Sequence, residues 1–199
     1  MPSIEAEKQA ARAIARQARQ QAFETMAAGA PGLVARHFLD HFRLEQGAVV
    51  AAYLPIGTEV SPLPLIERLG LSGVVTALPV IIEPAAPLVF ARWRLGDGLK
   101  PASHGTQQPL HDKDRVEANI LLVPLLAFDG QGRRLGYGGG FYDRTIAGLR
   151  EAGRPVLAIG LAFSAQEVEE LPQDPYDQKL DGVVTELGVR HFDRTGLNI

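Results

Sequence analysis

The chain has 199 residues, 46% of them hydrophobic, which suits one α/β domain with a substantial core. Its net charge of −3 is spread over both signs, which argues against a general nucleic-acid coat. The absence of cysteine excludes a disulfide framework, a thiolate nucleophile and a Cys-ligated zinc site. The longest apolar run, Ile120 to Phe128, is too short to span a bilayer and contains Pro124, and the charged, Ala-rich N-terminus has no apolar signal region. The expected location is therefore cytoplasmic, with no membrane partner.

Ser3 to about Ala28 reads as one helix, rich in good helix formers and capped by Ser3, and Gly29 to Gly32 ends it. A shorter helix is expected from about Leu33 to Leu44. Ala48 to Leu54 is a continuous apolar run, read as a buried strand. Ile56 to Glu59 forms a loop, and Ser61 to Leu69 a helix with its prolines in the first turn. Val74–Ala77 and Pro87–Arg94 are strand candidates on either side of a turn at Glu83–Ala86. Gly96 to Pro109 reads as a long loop. Asn119–Val123 is a second buried strand, followed by a glycine-rich loop and a helix from about Phe141 to Ala152. Val156–Leu161 is a strand, Gln166–Leu171 a short helix and Val183–Glu186 a last strand. Strands alternating with helices predict a three-layer α/β/α sandwich with a mainly parallel, mixed sheet, as a single domain over residues 1–199.

The strongest local signal is Arg134-Leu135-Gly136-Tyr137-Gly138-Gly139-Gly140-Phe141-Tyr142-Asp143. Four glycines in five positions let the backbone approach a ligand closely, and the following helix N-terminus adds N–H groups suited to phosphate. Arg134 supplies a permanent cation, and Asp143 sits where a carboxylate could hold magnesium against phosphate oxygens. A plain glycine turn capped by Asp143 is the alternative. Neither the P-loop nor the dinucleotide spacing is present. Tyr137, Phe141 and Tyr142 offer surfaces on which a planar heterocycle could stack.

Three further features stand beside the loop. Lys8, Arg12, Arg16 and Arg19 fall on one helical face, which on spacing alone reads as solvated, and for Arg16 and Arg19 that reading is preferred. Glu59 follows a strand end, where open α/β sheets bind ligands, and suits either the N–H groups of a substrate or helix capping near Ser61. Pro172 to Thr185 holds Asp174, Asp177 and Asp181, one of which could be a second magnesium ligand, although aspartate and proline also favour turns.

The stretch "VPLLAFDGQGRRLGYGGGFYDR", from Val123 to Arg144, closely resembles the signature of 5-formyltetrahydrofolate cyclo-ligases, and the likeness extends through "EVSPLPLI", "LPVI" and "LVFARW". The resemblance implies an enzyme that uses ATP and Mg2+ to convert 5-formyltetrahydrofolate to 5,10-methenyltetrahydrofolate, ADP and phosphate. It implies ATP contacts from Lys8, Arg12 and Arg134 through Tyr142, including Leu135 and Gly136. It implies folate contacts from Leu54, Glu59, Tyr137, Gly138, Gly139, Gly140 and Phe141. Catalytic roles fall to Glu59, Arg134 and Tyr142, and metal binding to Asp143 and Asp181. Partners would be small molecules, without nucleic acid, and the chain a monomer or weak homodimer. Two positions depart from the pattern: Tyr176 stands where many members have histidine, and Gln108 where an acidic residue is common. His104, in the same loop as Gln108, suits either a pterin contact or no role. A phosphate-binding isomerase or transferase, or a non-catalytic folate- or nucleotide-binding regulator, are the competing expectations.

Overall fold

The structure is a computed structural model that describes residues 3–192. Ser3 Oγ accepts the Ala6 amide and opens helix α1 (Ile4–Met26). Helix α2 (Ala30–His41) starts earlier than expected. Gly29 is its N-cap and Pro31 lies in its first turn, where the fixed proline φ is compatible with a helix. Then follow β1 (Val49–Ala51), α3 (Leu63–Leu71), β2 (Val75–Val80) and β3 (Val89–Arg92). The expected long loop instead carries a small ladder, β4 (Leu99–Pro101) against β5 (Gln107–Pro109), closed by a turn at Ser103–Gly105.

Next come β6 (Arg115–Val116), β7 (Ile120–Val123), β8 (Ala127–Asp129) and β9 (Arg134–Leu135), then helix α4 (Phe141–Glu151) and β10 (Leu157–Leu161). The helix expected over Gln166–Leu171 does not form. A 3-10 turn at Ser164–Gln166 runs into strand β11 (Glu167–Val168), which pairs with β8. The cause lies in side chains. Gln166 accepts the Phe163 amide and donates to the carbonyls of Leu125 and Leu126, while Asp129 accepts the Leu171 amide. These bonds hold the segment extended. Strands β12 (Gly182–Thr185) and β13 (Gly188–His191) end the described chain.

Eight strands form one sheet in the order β13-β12-β10-β7-β1-β2-β3-β6, and β8, β9 and β11 form a second, small one. The five central strands, β12 to β2, are mutually parallel, and β13, β3 and β6 each run antiparallel to a neighbour. Side chains alternate across the large sheet. Val50, Leu122, Ile159 and Val184 meet α2 and α3 through Val34, Phe38, Leu65 and Leu69. Ala51, Leu121, Val123 and Val183 meet α4 through Ile146 on the other face. The result is the expected three-layer sandwich, and burial on both faces explains the uninterrupted apolar strands. The chain leaves β1 toward β2 and later returns to β7 on the opposite side of β1. The sheet's topological switch point therefore lies between β1 and β7, where open α/β sheets form their ligand crevice.

Candidate active site

The glycine loop leaves β9 and ends at the N-terminus of α4. Gly138 (φ +100°) and Gly140 (φ +65°) adopt left-handed backbone, which favours glycine. A Cβ on Gly138 would lie 3.3 Å from the Arg12 guanidinium, so the loop touches α1 directly. Gly140 is the N-cap of α4 and has no side chain, so no side-chain cap covers the amides of the first turn, the local condition for anion binding. Leu135 is buried beside Ala15, Leu126 and Leu171 and anchors the loop's start.

Cations surround this bend. Arg12 donates from Nε to the Gly136 carbonyl at 3.1 Å and from Nη1 to Glu5 at 2.8 Å. Arg134 donates from Nη1 and Nη2 to Asp143 Oδ1 at 3.2 and 3.0 Å, and its buried Nε has no hydrogen-bond partner among the described residues. Asp143 Oδ1 also accepts the Gln178 amide, while Oδ2 makes no hydrogen bond among the described residues. Lys8 Nζ lies 2.5 Å from Asp174 and 2.6 Å from Asp177. Burial pulls the Lys8 ammonium down, but the hydrogen bonds and charges of Asp174 and Asp177 outweigh it and hold the group above the ordinary lysine value.

Glu59 lies behind the loop, at the switch point. It is buried, Oε2 accepts the Ile56 amide at 2.8 Å, and Oε1 has no hydrogen-bond partner of normal geometry among the described residues. Burial raises its carboxyl above the usual range, against the Ile56 amide, the Tyr137 phenol and the Arg19 charge, all of which pull it down. Tyr137 stands beside Glu59 with 42% of its surface exposed. Its phenol is pushed up to about 12, by burial first and then by the Glu59 charge. Tyr142 is half-buried, and burial, followed by Glu59, raises its phenol too. Leu54 is half-buried beyond the end of β1 and packs on the core, and the hydroxyl of its neighbour Tyr53 donates to the Val60 carbonyl. Phe141 is half-buried at the start of α4, under the Arg144 guanidinium at 5.1 Å.

Arg19 overturns its sequence-based reading. It is not solvated but 5% exposed, and it donates to Thr58 Oγ1 at 3.1 Å and to the Tyr137 hydroxyl at 2.6 Å. Arg16 is exposed, as expected. The signal that distinguishes them is a stripe of buried α1 residues, Lys8, Arg12, Ala15, Arg19 and Ala22, spaced by four, three, four and three. Small alanines between cations mark a face that packs closely, and Arg16 lies off it.

The fold thus brings Lys8, Arg12, Glu59, Arg134, the glycines, the aromatics and Asp143 into one region. Asp181 is positioned differently. It is 2% exposed, Oδ2 accepts the Ala158 amide at 2.7 Å, and the carboxylate pairs with Arg150 at 3.1 Å. These bonds tie β12 to β10 and pair the carboxylate with Arg150. Of the three aspartates it is Asp174 and Asp177 that reach the α1 cation. No group of three or more His, Cys, Asp or Glu among the described residues could hold a metal unaided. One carboxylate, Asp143, nevertheless fits magnesium, which keeps waters and takes phosphate oxygens as its other ligands. Tyr176 is 84% exposed, and the side chain of His104 lies outside the described residues. No helix of the described residues is long and apolar enough to cross a membrane.

The family model described as "5-formyltetrahydrofolate cyclo-ligase family" matches residues 4–186. The chain belongs to the 5-formyltetrahydrofolate cyclo-ligase family. The cyclo-ligase of Haemophilus influenzae is 34% identical over 153 residues, covering 74% of this chain and 80% of that protein. That of Escherichia coli K12 is 36% identical over 141 residues, 68% and 76% of the two chains. The 5,10-methenyltetrahydrofolate synthetase structure from Aquifex aeolicus superposes with a TM-score of 0.70 at 26% identity, covering 94% of this chain and 97% of that one. The Mycoplasma pneumoniae synthetase, at 23% identity and a TM-score of 0.69, shares the fold over 90% of this chain and 99% of its own. This member of the cyclo-ligase family is an enzyme, and the residues above carry its candidate chemistry.

Proposed function

We propose that the chain converts 5-formyltetrahydrofolate to 5,10-methenyltetrahydrofolate, with ATP as co-substrate and magnesium as the ion. The observation that carries this reading is the adjacency of two half-sites. A cation-lined, uncapped glycine bend, whose Arg134 Nε has no hydrogen-bond partner among the described residues, suits phosphates, and its Tyr137 stands beside the buried Glu59.

In this reading the bend, Lys8, Arg12 and Arg134 bind the nucleotide's phosphates. Phosphoryl transfer needs mainly positioning and charge neutralisation, and these groups provide both. Asp143 would hold magnesium, which supplies further neutralisation at the phosphate oxygens. Glu59 accepts an N–H of the folate, orienting the formamide, and Leu54, Tyr137 and Phe141 bound the ring system and exclude water. The formyl oxygen attacks the γ-phosphorus and ADP leaves. N10 then attacks the formyl carbon and loses its proton, and phosphate departs with the former formyl oxygen. No protein nucleophile is required. Tyr142, with its phenol raised, stays protonated at neutral pH and serves as a hydrogen-bond donor.

The test is turnover of the purified protein, followed by methenyl absorbance. Absorbance should rise only with 5-formyltetrahydrofolate, ATP and Mg2+ together. Folate and ATP binding without turnover would favour a regulator, and phosphate binding without ATP use an isomerase or transferase.

A further inference from the structure

Building on the role of Glu59 as folate ligand, we propose that Arg19 is a positioning residue that sets the glycine loop and the folate carboxylate as one unit. Its guanidinium joins four segments of the chain. From α1 it donates to Thr58 in the loop after β1, to the Tyr137 hydroxyl in the glycine loop and, at 3.5 Å, to the Leu125 carbonyl just past β7. It also lies 5.4 Å from the centroid of the Tyr137 ring, a cation–π arrangement.

Its relation to Glu59 is the informative one. Nη1 stands 3.8 Å from Oε1, with both side chains nearly buried at 6% and 3% exposure. That is near enough to oppose the burial penalty on an ionised carboxylate, yet too long to occupy the oxygen with a hydrogen bond. Arg19's donors go to Thr58, Tyr137 and Leu125 instead; the Tyr137 phenol approaches the Glu59 carboxylate, and Oε1 has no hydrogen bond of normal geometry among the described residues. A carboxylate oxygen that keeps acceptor capacity is what recognition of a substrate N–H needs. An arginine paired tightly to Glu59 would have blocked it. The titratable and charged groups facing Glu59 are Arg19 from α1, Tyr53 at the end of β1, Tyr137 from the glycine loop and Tyr142 from α4, the last with Arg134 nearby. Among these, only Arg19 is a cation paired with it.

The experiment compares wild type, Arg19→Met, Arg19→Lys and Glu59→Gln by Michaelis constants for both substrates and by the pH dependence of folate kcat/KM. Removing the cation raises the Glu59 carboxyl further. Arg19→Met should therefore move the acid limb up by about one pH unit and raise the folate KM about tenfold, with a smaller rise in the ATP KM because Tyr137 belongs to the loop that meets the nucleotide. Arg19→Lys should return the acid limb toward wild type but keep a raised folate KM, because the fork to Thr58 and Tyr137 is lost. Glu59→Gln should abolish the limb. A folded Arg19→Met with the wild-type limb and folate KM overturns the proposal. Should Arg19→Met not fold, an Arg19→Lys enzyme with wild-type folate KM does so. If the wild type binds the folate without turning it over, the proposed reaction fails by itself, and calorimetric folate affinity across the same pH range then reads the Arg19 effect. If it binds no folate, both fall.

Discussion

Glu59 is buried, and burial raises its carboxyl above the ordinary value of 4.5. A group raised in the folded state favours folding least when it is ionised. The penalty is absent below the unfolded value, grows as pH rises through the folded one and is complete above it. Glu59→Gln should therefore melt higher than wild type at pH 7, with the gain vanishing in acid below pH 4.5, while the folate KM rises and the ATP KM does not. Thermal melts at several pH values and substrate titrations check both halves, and a lower melting point at pH 7 would contradict the burial argument. Arg134 stands on the other side of Tyr137. Its fork to Asp143 is charge-assisted, and its Nε awaits an acceptor. Arg134→Ala should raise the ATP KM about 10- to 100-fold, the worth of a charged hydrogen bond, with little change in folate KM. Equal effects on both substrates would mean that Arg134 serves the loop's shape rather than the nucleotide.

The segment that carries Asp174, Asp177 and Asp181 shows how one stretch of chain divides its carboxylates between ligand and scaffold. Asp174 and Asp177 close on Lys8, whereas Asp181 clasps β10 and α4 through the Ala158 amide and Arg150. Asp181→Ala should lower stability by about 3 kcal/mol, because it leaves the buried Ala158 amide without its acceptor and removes the carboxylate from Arg150, and should leave the magnesium dependence of turnover unchanged. Asp143→Asn should do the reverse, raising the magnesium concentration for half-maximal turnover with a smaller change in melting. Magnesium titrations and denaturant curves of the two variants separate these outcomes. Elements of this kind were legible in the sequence to different degrees. The apolar run at Ile120–Val123 announced a central strand because both its faces are covered. The strands β8, β9 and β11 are two or three residues long, too short to show a period. Helical composition at Gln166–Leu171 was overruled by the long-range bonds of Gln166 and Asp129, which local propensity does not contain. The glycine loop and Glu59 were visible as motifs. Arg19 was not, because its role depends on which face of α1 meets the loop.

At the scale of the whole molecule, α1 is docked by two different kinds of contact along its length. Its second half places Ala22, Phe23 and Met26 on the main core, with Ala15 on the small sheet's cluster. In its first half the buried residues are Lys8 and Arg12, whose partners are Asp174, Asp177, the Gly136 carbonyl and Glu5. Apolar burial is insensitive to the ligand, but a clasp of ion pairs beside an anion site gains when a triphosphate adds charge to the cations. Local opening follows the weakest docking, so amides of residues 4–14 should exchange hydrogen faster than those of 15–26 in the free protein. ATP with magnesium should slow exchange in the first half and change the second little, since binding stabilises what it touches. Raising salt to about 1 M, where the Debye length is near 3 Å, should speed exchange in the first half of the free protein only. Hydrogen-exchange mass spectrometry resolves the two halves as separate peptides. Uniform protection along α1 would mean that the helix docks as a rigid whole and that its cations add affinity without gating the site.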